Sequence, residues 1–422
     1  MRIIADLHMH GKYSRATSKN LVFENIEKYA RLKGLSLVGT GDFTHPKWRE
    51  EIGTKLSDDG KGIYRTKTGF PFLLQTEISL IYKWNGKGRR VHTIVLAPSL
   101  DVVDQITEAL LKRGRVDYDG RPIFGIPCTE FVEMMHSISP DIEVIPAHAW
   151  TPWFGVFGSE SGFDSLKECF EEQVKHVHAI ETGISSTPAM NWRIKELDDY
   201  ALVSFSDSHS YWPWRMGREA TLFEMKEITY KAVLQSIRNN DIIGTIETDP
   251  AYGKYHLDGH RACDVRLLPS QSKELKKICP KCKKGLTIGV LHRIEELAER
   301  EEGYKPKNTK QFYTLLPLHE VIANVVDKGL ATRAVQEQAD ALLTLGSELD
   351  VLLHISLESI EKVAPKLVRA IALNRAGNVP MLPGYDGEYG IPIFSEDKTR
   401  KDNYLTKLTG KEKVQLGFTD FS

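Results

Sequence analysis

Ala5-Asp6-Leu7-His8-Met9-His10 is the stretch that decides how the rest of the chain is read. It follows Met1-Arg2-Ile3-Ile4, a short, mostly apolar run rich in β-branched residues that reads as a strand beginning almost at once. Alternation along a strand puts Asp6, His8 and His10 on one side, two residues apart. Two imidazoles beside a carboxylate, at the end of a buried strand, can hold a metal ion without distorting the backbone.

The rest of the chain is consistent with an ordinary globular protein of two or three domains. It has 422 residues, 41% hydrophobic and 27% charged. It carries no run of about 18 apolar residues and no basic-then-apolar leader, so it reads as soluble and cytoplasmic. The net charge of -1 means that any nucleic-acid binding must come from local patches. Of five cysteines, Cys263, Cys279 and Cys282 cluster, which points to a metal site in a reducing compartment more than to disulfides. Cys128 and Cys169 read as core thiols.

Up to about residue 245, short apolar runs alternate with amphipathic stretches. Candidate strands after the first are Leu35–Gly39, Pro71–Gln75, Val91–Ala97, Glu143–Pro146, Val177–Ile180 and Leu202–Phe205, seven in all. That is the layout of an α/β fold, a distorted (β/α)7 barrel whose site forms where strands end. The seven ends carry His8 and His10; Asp42 and His45; Glu77; His92; His148; Glu181; and Asp207 with His209. Scattered core histidines would not be phased in this way. A mixed imidazole and carboxylate set suits Zn, Mn or Fe better than an all-oxygen Mg cage. No Ser-His-Asp arrangement or Walker-type loop competes with it.

These motifs resemble the PHP superfamily of metal-dependent phosphoesterases: a D-L-H-x-H opening, a Thr-x-Asp second motif, a lone Glu and a closing D-x-H. The resemblance implies that His8, His10, Glu77 and Asp207 hold one ion. Glu77 would bridge to a second ion held with His92 and His148, and Asp42, His45 and His209 would serve a third. Asp207, Glu77 and Asp42 then become the catalytic carboxylates, with two or three divalent ions (Zn, Mn or Mg) activating water for attack on phosphorus. A bridging carboxylate holds two ions about 4 Å apart, which clamps attacking and leaving oxygens of an in-line displacement. Asp6 and Glu181 are expected to orient histidines or substrate. The chain departs from many relatives at Lys12–Arg15, where they carry Asp, and at Phe43, where they carry His; His45 compensates for the second.

Two aromatic clusters follow ligand motifs directly. Trp150-Thr-Pro-Trp153-Phe154-Gly-Val-Phe157 follows His148, and Tyr211-Trp212-Pro-Trp214-Arg215 follows His209. Trp153, Phe154, Trp212 and Trp214 read as base-stacking or wedge residues at the site mouth. Lys12, Tyr13, Arg15, Lys19 and Arg215 are candidate nucleic-acid contacts, with Arg89 and Arg90 beside them.

Beyond residue 250 lies a second module. Tyr255-His256-Leu-Asp-Gly-His260-Arg-Ala-Cys263 precedes Cys279-Pro-Lys-Cys282, a knuckle that signals structural zinc because tetrahedral closure needs four N or S ligands. Cys263, Cys279 and Cys282 are three of them, and the fourth is His260 or His256, with His260 favoured because it lies nearer Cys263. From Arg261 to Lys284 there are eight Lys or Arg against two acidic residues, a plausible phosphate-contacting face. Helical periodicity then marks Val290–Glu302, Leu318–Lys328, Arg333–Leu345 and Glu358–Ala376. The Gly- and Tyr-rich loop Leu382–Gly390 lies either on its own core or on DNA. Finally Gln415-Leu-Gly-Phe418-Thr-Asp-Phe421 is similar to a sliding-clamp (PCNA) binding motif, with Ser422 where a second aromatic would stand. The expected organisation is a catalytic barrel over 1–250, a zinc module over 251–288, a helical domain over 289–394 and a flexible tail over 395–422.

The order of these motifs, with Leu286–Arg293 (L-T-x-G-V-x-H-R), Pro383–Gly387 (P-G-Y-D-G) and His10-Gly-Lys-Tyr-Ser-Arg-Ala-Thr-Ser18, closely resembles the endonuclease Q family, DNA-repair enzymes of archaea and some bacteria. The resemblance spans nearly the whole chain. It implies hydrolysis of the phosphodiester on the 5′ side of uracil, hypoxanthine, xanthine or an abasic site, in double- or single-stranded DNA, with the lesion base flipped into a pocket. A clamp-binding tail fits the archaeal members. Other readings are a PHP-type 3′–5′ exonuclease, a small-molecule phosphomonoesterase, and a non-catalytic DNA-binding adaptor with a degenerate barrel.

Overall fold

Strand Arg2–Asp6 sits at the middle of the largest sheet. It pairs in parallel with Leu37–Gly39 on one edge and antiparallel with Ala220–Glu224 on the other. The computed structural model describes residues 1–394, so Gln415, Phe418 and Phe421 lie outside the described residues. The full order of this sheet is Gln311–Thr314, Gly244–Glu247, Ala220–Glu224, Arg2–Asp6, Leu37–Gly39, Pro71–Leu73, Tyr64–Arg65 and Ser57–Asp58. A four-stranded sheet is built on the hairpin Gln75–Trp84 and Lys87–Leu96, with Ile123–Phe124 and Glu143–Pro146 at its edges. Ala179–Glu181 pairs in parallel with Ala201–Val203.

Single backbone bonds join these pieces into a distorted barrel. Ala149 N donates to Glu181 O at 2.9 Å, Thr182 N to Val203 O at 2.9 Å, and His10 N to Ser208 O at 3.0 Å. Ala5, Leu7, Leu37, Leu73, Ile94, Ile145, Ala179, Val203 and Phe205 fill the interior as one buried cluster. With the inside occupied by small and branched side chains, the polar groups are left to the rim.

The middle of the barrel differs from the expected strands. Pro71–Gln75 divides, with Pro71–Leu73 ending one strand and Gln75 opening a ten-residue one; Val91–Ala97 overlaps the second half of its hairpin partner. The cause is Asn85-Gly86, whose φ values of 47° and 77° make a two-residue turn matching the twist of paired strands. Glu77 therefore lies inside a strand, opposite Ile94, rather than beyond the end of one.

Toward the C-terminus the helices are Val290–Leu297, Leu318–Val326, Arg333–Leu343, Glu348–Leu353, Leu357–Val363 and Val368–Arg375. The single helix expected over Glu358–Ala376 is broken at Pro365, which lacks an N–H and clashes with the preceding turn. Ser347 and Asp350 form a reciprocal cap that starts a helix the periodicity did not reveal. Strand Gln311–Thr314 adds in parallel to Gly244–Glu247, so this region is continuous with the barrel sheet. Among the described residues no helix is long and apolar enough to cross a membrane.

The helices are also tied to the barrel by a fully buried ion pair. Lys33, on the barrel helix Phe23–Lys33, lies 2.6 Å from Glu348, and both are 1% exposed. The ammonium also donates to Pro213 O at 2.8 Å, and the carboxylate accepts from Leu318 N at 2.9 Å. Removing one partner leaves an uncompensated charge in the interior. Lys33→Met or Glu348→Gln should each cost about 3–5 kcal/mol in denaturant unfolding, and the double variant Lys33→Met/Glu348→Leu should cost less than the sum. Additive single effects, or none, would contradict this account of the junction.

Candidate metal centre

His8 is buried and its Nδ1 lies 2.9 and 3.1 Å from the two Glu181 oxygens, so that nitrogen carries the proton and donates. Its Nε2 is left without a hydrogen-bond partner, 3.6 Å from both Glu77 Oε2 and Asp207 Oδ1. His10 is held in the same way: Nδ1 is 3.0 Å from Asp42 Oδ1, and Nε2 faces Asp207 Oδ1 at 3.1 Å and Glu77 Oε2 at 3.2 Å. His8, His10, Glu77 and Asp207 thus bring one ligand atom each to within 4.8 Å of one another.

The other oxygen of Glu77 serves a second group. Glu77 Oε1 lies 2.8 Å from His92 Nδ1 and 3.2 Å from His148 Nε2. His148 Nδ1 meets Thr151 Oγ1 at 2.9 Å, and its backbone N–H donates to Glu181 Oε2 at 2.6 Å. Glu77, His92 and His148 form another set within the same spacing. A single carboxylate therefore faces two imidazole sets with different oxygens.

Three of the side chains involved stand on unfavourable backbone. Asp42, His148 and Asp207 have φ of 40°, 31° and 47°, in the left-handed region that costs non-glycine residues of order 1–3 kcal/mol. For Asp207 the clamp is visible. Asp6 accepts from Ser206 N at 3.0 Å and Ser206 Oγ at 2.5 Å, while Arg218 donates to Ser206 O at 3.0 Å. Asp6, expected to orient a histidine or substrate, holds the Ser206 turn together with Gly217 N and also meets the His8 backbone.

The charges in this cluster call for a cation. Burial opposes the charged form of His8, but Glu181, Asp207 and Glu77 outweigh it and hold the imidazole well above its ordinary value. His10 and His148 are raised against burial as well, by Asp42 and Asp207 and by Glu77 respectively. Burial would raise Glu77 and Asp207, yet the surrounding imidazoles and Arg121 keep both well below the usual carboxylate range. His92 is pushed down to about 4 by burial. The unpartnered His8 Nε2, the fixed tautomers and the mixed N/O donor set all fit divalent ions.

The third expected set does not assemble: among the described residues Asp42, His45 and His209 form no such group. Asp42 turns back into the chain, giving Oδ1 to His10 and Oδ2 to Gly11 N at 2.5 Å and Ser14 Oγ at 2.8 Å. His45 stacks on Tyr13 at 4.7 Å, and burial lowers its pKa. His209 stacks on His10 at 4.2 Å, its Nε2 3.6 Å from Asp207. Asp42 is thus an orienting residue for His10.

Arg121 escaped the sequence reading. Its Nη1 lies 2.9 Å from Glu77 Oε2, and it comes from the isolated turn Asp119-Gly120-Arg121, which carries no spacing signal.

Around the rim, Phe154 is half-buried with its ring 4.4 Å from that of His92, and Trp153 meets Tyr255 edge-on at 5.6 Å. Arg15 and Lys19 are exposed, whereas Lys12 and Tyr13 both engage Glu51, at 2.8 and 2.7 Å. The second aromatic cluster is not an open platform. Trp212 and Trp214 stack on each other at 4.9 Å and are used up against Tyr29 and His319, joining the barrel to the helices. Arg215 lies 3.8 Å from Glu320.

In the second module His260, Cys263, Cys279 and Cys282 gather within 4.8 Å, with Cys282 Sγ 3.5 Å from His260 Nδ1. The strand pairing of Asp258–His260 with Val265–Leu267 sets His260 beside Cys263. His256 is elsewhere, its Nδ1 unpartnered and its pKa pushed down to about 4 by burial.

Two outcomes follow from this geometry. Glu181→Gln should keep the fold but weaken divalent-ion binding about 10–100-fold in calorimetry, because His8 loses the group that sets its tautomer. With His8, His10 and His148 raised, a cation must displace protons near neutrality, so affinity rises with pH, falls in acid, and binding releases protons. Affinity independent of pH, without proton release, would contradict this.

The chain matches known proteins over most of its length. A family model described as the MJ0043 C-terminal domain matches residues 317–378. An uncharacterized protein of Methanocaldococcus jannaschii is 34% identical over 257 residues, 60% of this chain and 32% of that protein, so this chain spans about a third of that relative's length. The uncharacterized protein YqxK of Bacillus subtilis is 27% identical over 92% of this chain and 98% of its own. The crystal structure of a lesion-specific endonuclease Q from Pyrococcus furiosus superposes with a TM-score of 0.84 at 33% identity, covering 95% of this chain and 97% of that one. An endonuclease Q complex with a 27-mer duplex bearing an abasic lesion at its active site gives 0.85 at 33% identity, covering 94% and 98%. Identity at this level across nearly the whole of both chains shows that the protein belongs to the endonuclease Q family.

Proposed function

We propose that the protein is a metal-dependent, lesion-specific DNA endonuclease. It hydrolyses the phosphodiester on the 5′ side of a deaminated base (uracil, hypoxanthine or xanthine) or of an abasic site. The observation that carries this reading is the division of Glu77 between two imidazole sets, the donor arrangement of a two-metal phosphoryl-transfer site. The relatives support the substrate: one is a lesion-specific endonuclease, and another is bound to a duplex with an abasic lesion at its active site.

In this reading His8, His10, Glu77 and Asp207 hold one divalent ion and Glu77, His92 and His148 another. Such ions (Zn, Mn or Mg) supply Lewis acidity to the phosphoryl oxygens and to an attacking water when bound. The chain's own groups do the rest. Glu181 and Asp42 keep the Nε2 lone pairs of His8 and His10 directed into the site. Arg121, partly open to solvent beside Glu77, supplies positive charge to the phosphate entering there. Phe154, half-buried beside His92 on strained backbone with φ of 70°, suits a wedge that fills the gap left by an extruded nucleotide. His260, Cys263, Cys279 and Cys282 hold one structural zinc. The spacing of Gln415, Phe418 and Phe421 supports a sliding clamp as partner.

A labelled duplex with one central deoxyinosine, uracil or abasic site tests this. The expected product is a single nick immediately 5′ of the lesion, abolished by a chelator and absent from undamaged duplex. Asp207→Ala should lose more than about 100-fold in rate, beyond what losing an outer partner costs, while still binding DNA. Stepwise shortening from a 3′ end would favour the exonuclease, and Asp207→Ala cleaving like wild type would place the catalytic centre elsewhere.

A further inference from the structure

The loop Leu382–Gly390 carries two tyrosines with opposite fates. Tyr385 is 4% exposed: its hydroxyl donates to Asp264 at 2.8 Å, and its ring lies so close over Gly259 that any side chain there would collide. Tyr389 is 41% exposed. The loop between them is rigidly seated. Gly384 N donates to Ala251 O at 2.8 Å, Gly387 N to Lys254 O at 2.9 Å, and Gly390 N to Tyr252 O at 3.0 Å. The Asp386 carboxylate, at φ of 40°, accepts from Arg261 N at 2.6 Å and Thr287 Oγ1 at 2.7 Å. An exposed aromatic ring on a loop held this firmly loses little entropy on contact with a partner.

The charges around that ring select the partner. Lys254 Nζ lies over the ring, 4.7 Å from its centroid, and Arg215 lies 5.9 Å from it with its buried Nη1 turned to Glu320 at 3.8 Å. The position also fits. The turn Pro250–Tyr252 beneath Tyr389 packs on Gly183–Ser185, and Gly183 abuts His148, so a chain of direct contacts links the ring to a residue of the metal centre. The ring and the ammonium over it together supply what a nucleic-acid strand needs: a base takes the face where Lys254 Nζ lies, and the displaced ammonium meets a phosphate of the same strand.

We infer that Tyr389, beside Lys254 and Arg215, is a stacking platform for a nucleobase of the bound strand, with the Lys254 ammonium meeting an adjacent phosphate. This rests on DNA being the substrate, as proposed above. Stacking, not the hydroxyl, is the operative contact, so Tyr389→Phe and Tyr389→Trp retain it and Tyr389→Ala removes it.

The test is fluorescence anisotropy with lesion duplexes carrying 2-aminopurine at successive positions around the lesion. Tyr389→Ala should raise Kd about tenfold and abolish quenching at one position, with Tyr389→Phe close to wild type. Lys254→Gln should reduce the salt dependence of binding by about one ion. Tyr389→Ala binding as tightly as wild type with unchanged quenching would overturn the inference, as would a Tyr389→Phe defect equal to that of Tyr389→Ala. If wild type shows Tyr389-dependent quenching yet nicks no lesion duplex, the proposed activity fails and the platform stands. If wild type nicks and Tyr389→Ala binds normally, the platform alone fails.

Discussion

Glu77 is a carboxylate with no solvent exposure, facing His8, His10, His92 and His148 and the Arg121 guanidinium at 2.8–3.6 Å. A carboxylate in that position would be costly to bury alone, and it is kept ionised only by the groups around it. Those groups come from separate stretches of the chain, so the first strand, the long hairpin and the segments ending in His148 and Arg121 must meet for it to be stable. Folding the barrel and assembling the site are one requirement. The same arrangement leaves imidazole nitrogens and carboxylate oxygens pointed at one another, which divalent ions relieve.

Precision at this point is obtained by strain elsewhere. Asp42, His148 and Asp207 all occupy left-handed backbone, and each is held by neighbouring hydrogen bonds. Asp6 and Arg218 grip Ser206 beside Asp207, and Gly11 and Ser14 grip Asp42. The buried Lys33–Glu348 pair extends this rigidity to the helices, and the module carrying His260 and the three clustered cysteines reaches the same rim through Trp153 and Tyr255.

Much of this was legible in the sequence. Histidines and carboxylates fall at the ends of apolar runs, and that phasing pointed to the barrel and its ligand-bearing rim, while the division into sets came from the resemblance to the phosphoesterases. What stayed hidden depended on backbone dihedrals or on distant partners. Asp42 turns its oxygens to His10, Gly11 and Ser14, an arrangement set by its φ and by Ser14, not by spacing. Trp212 and Trp214 resembled an open stacking surface, but Trp212 packs on Tyr29 and Trp214 on His319 of the C-terminal helices. Arg121 sits in an unpatterned turn. The preference for His260 over His256, by contrast, was readable from its nearness to Cys263, and the register of a three-residue strand sets the two side by side. Only Asn85-Gly86 was a local signal passed over, since that pair marks a tight hairpin by itself.

Anomalous diffraction from crystals of the protein loaded with Mn is the most direct test of the role given to Glu77. The account predicts two peaks in the barrel, one among His8, His10 and Asp207 and one between His92 and His148, with Glu77 bordering both. A single peak, or a peak coordinated by Asp42 and His45, would contradict it.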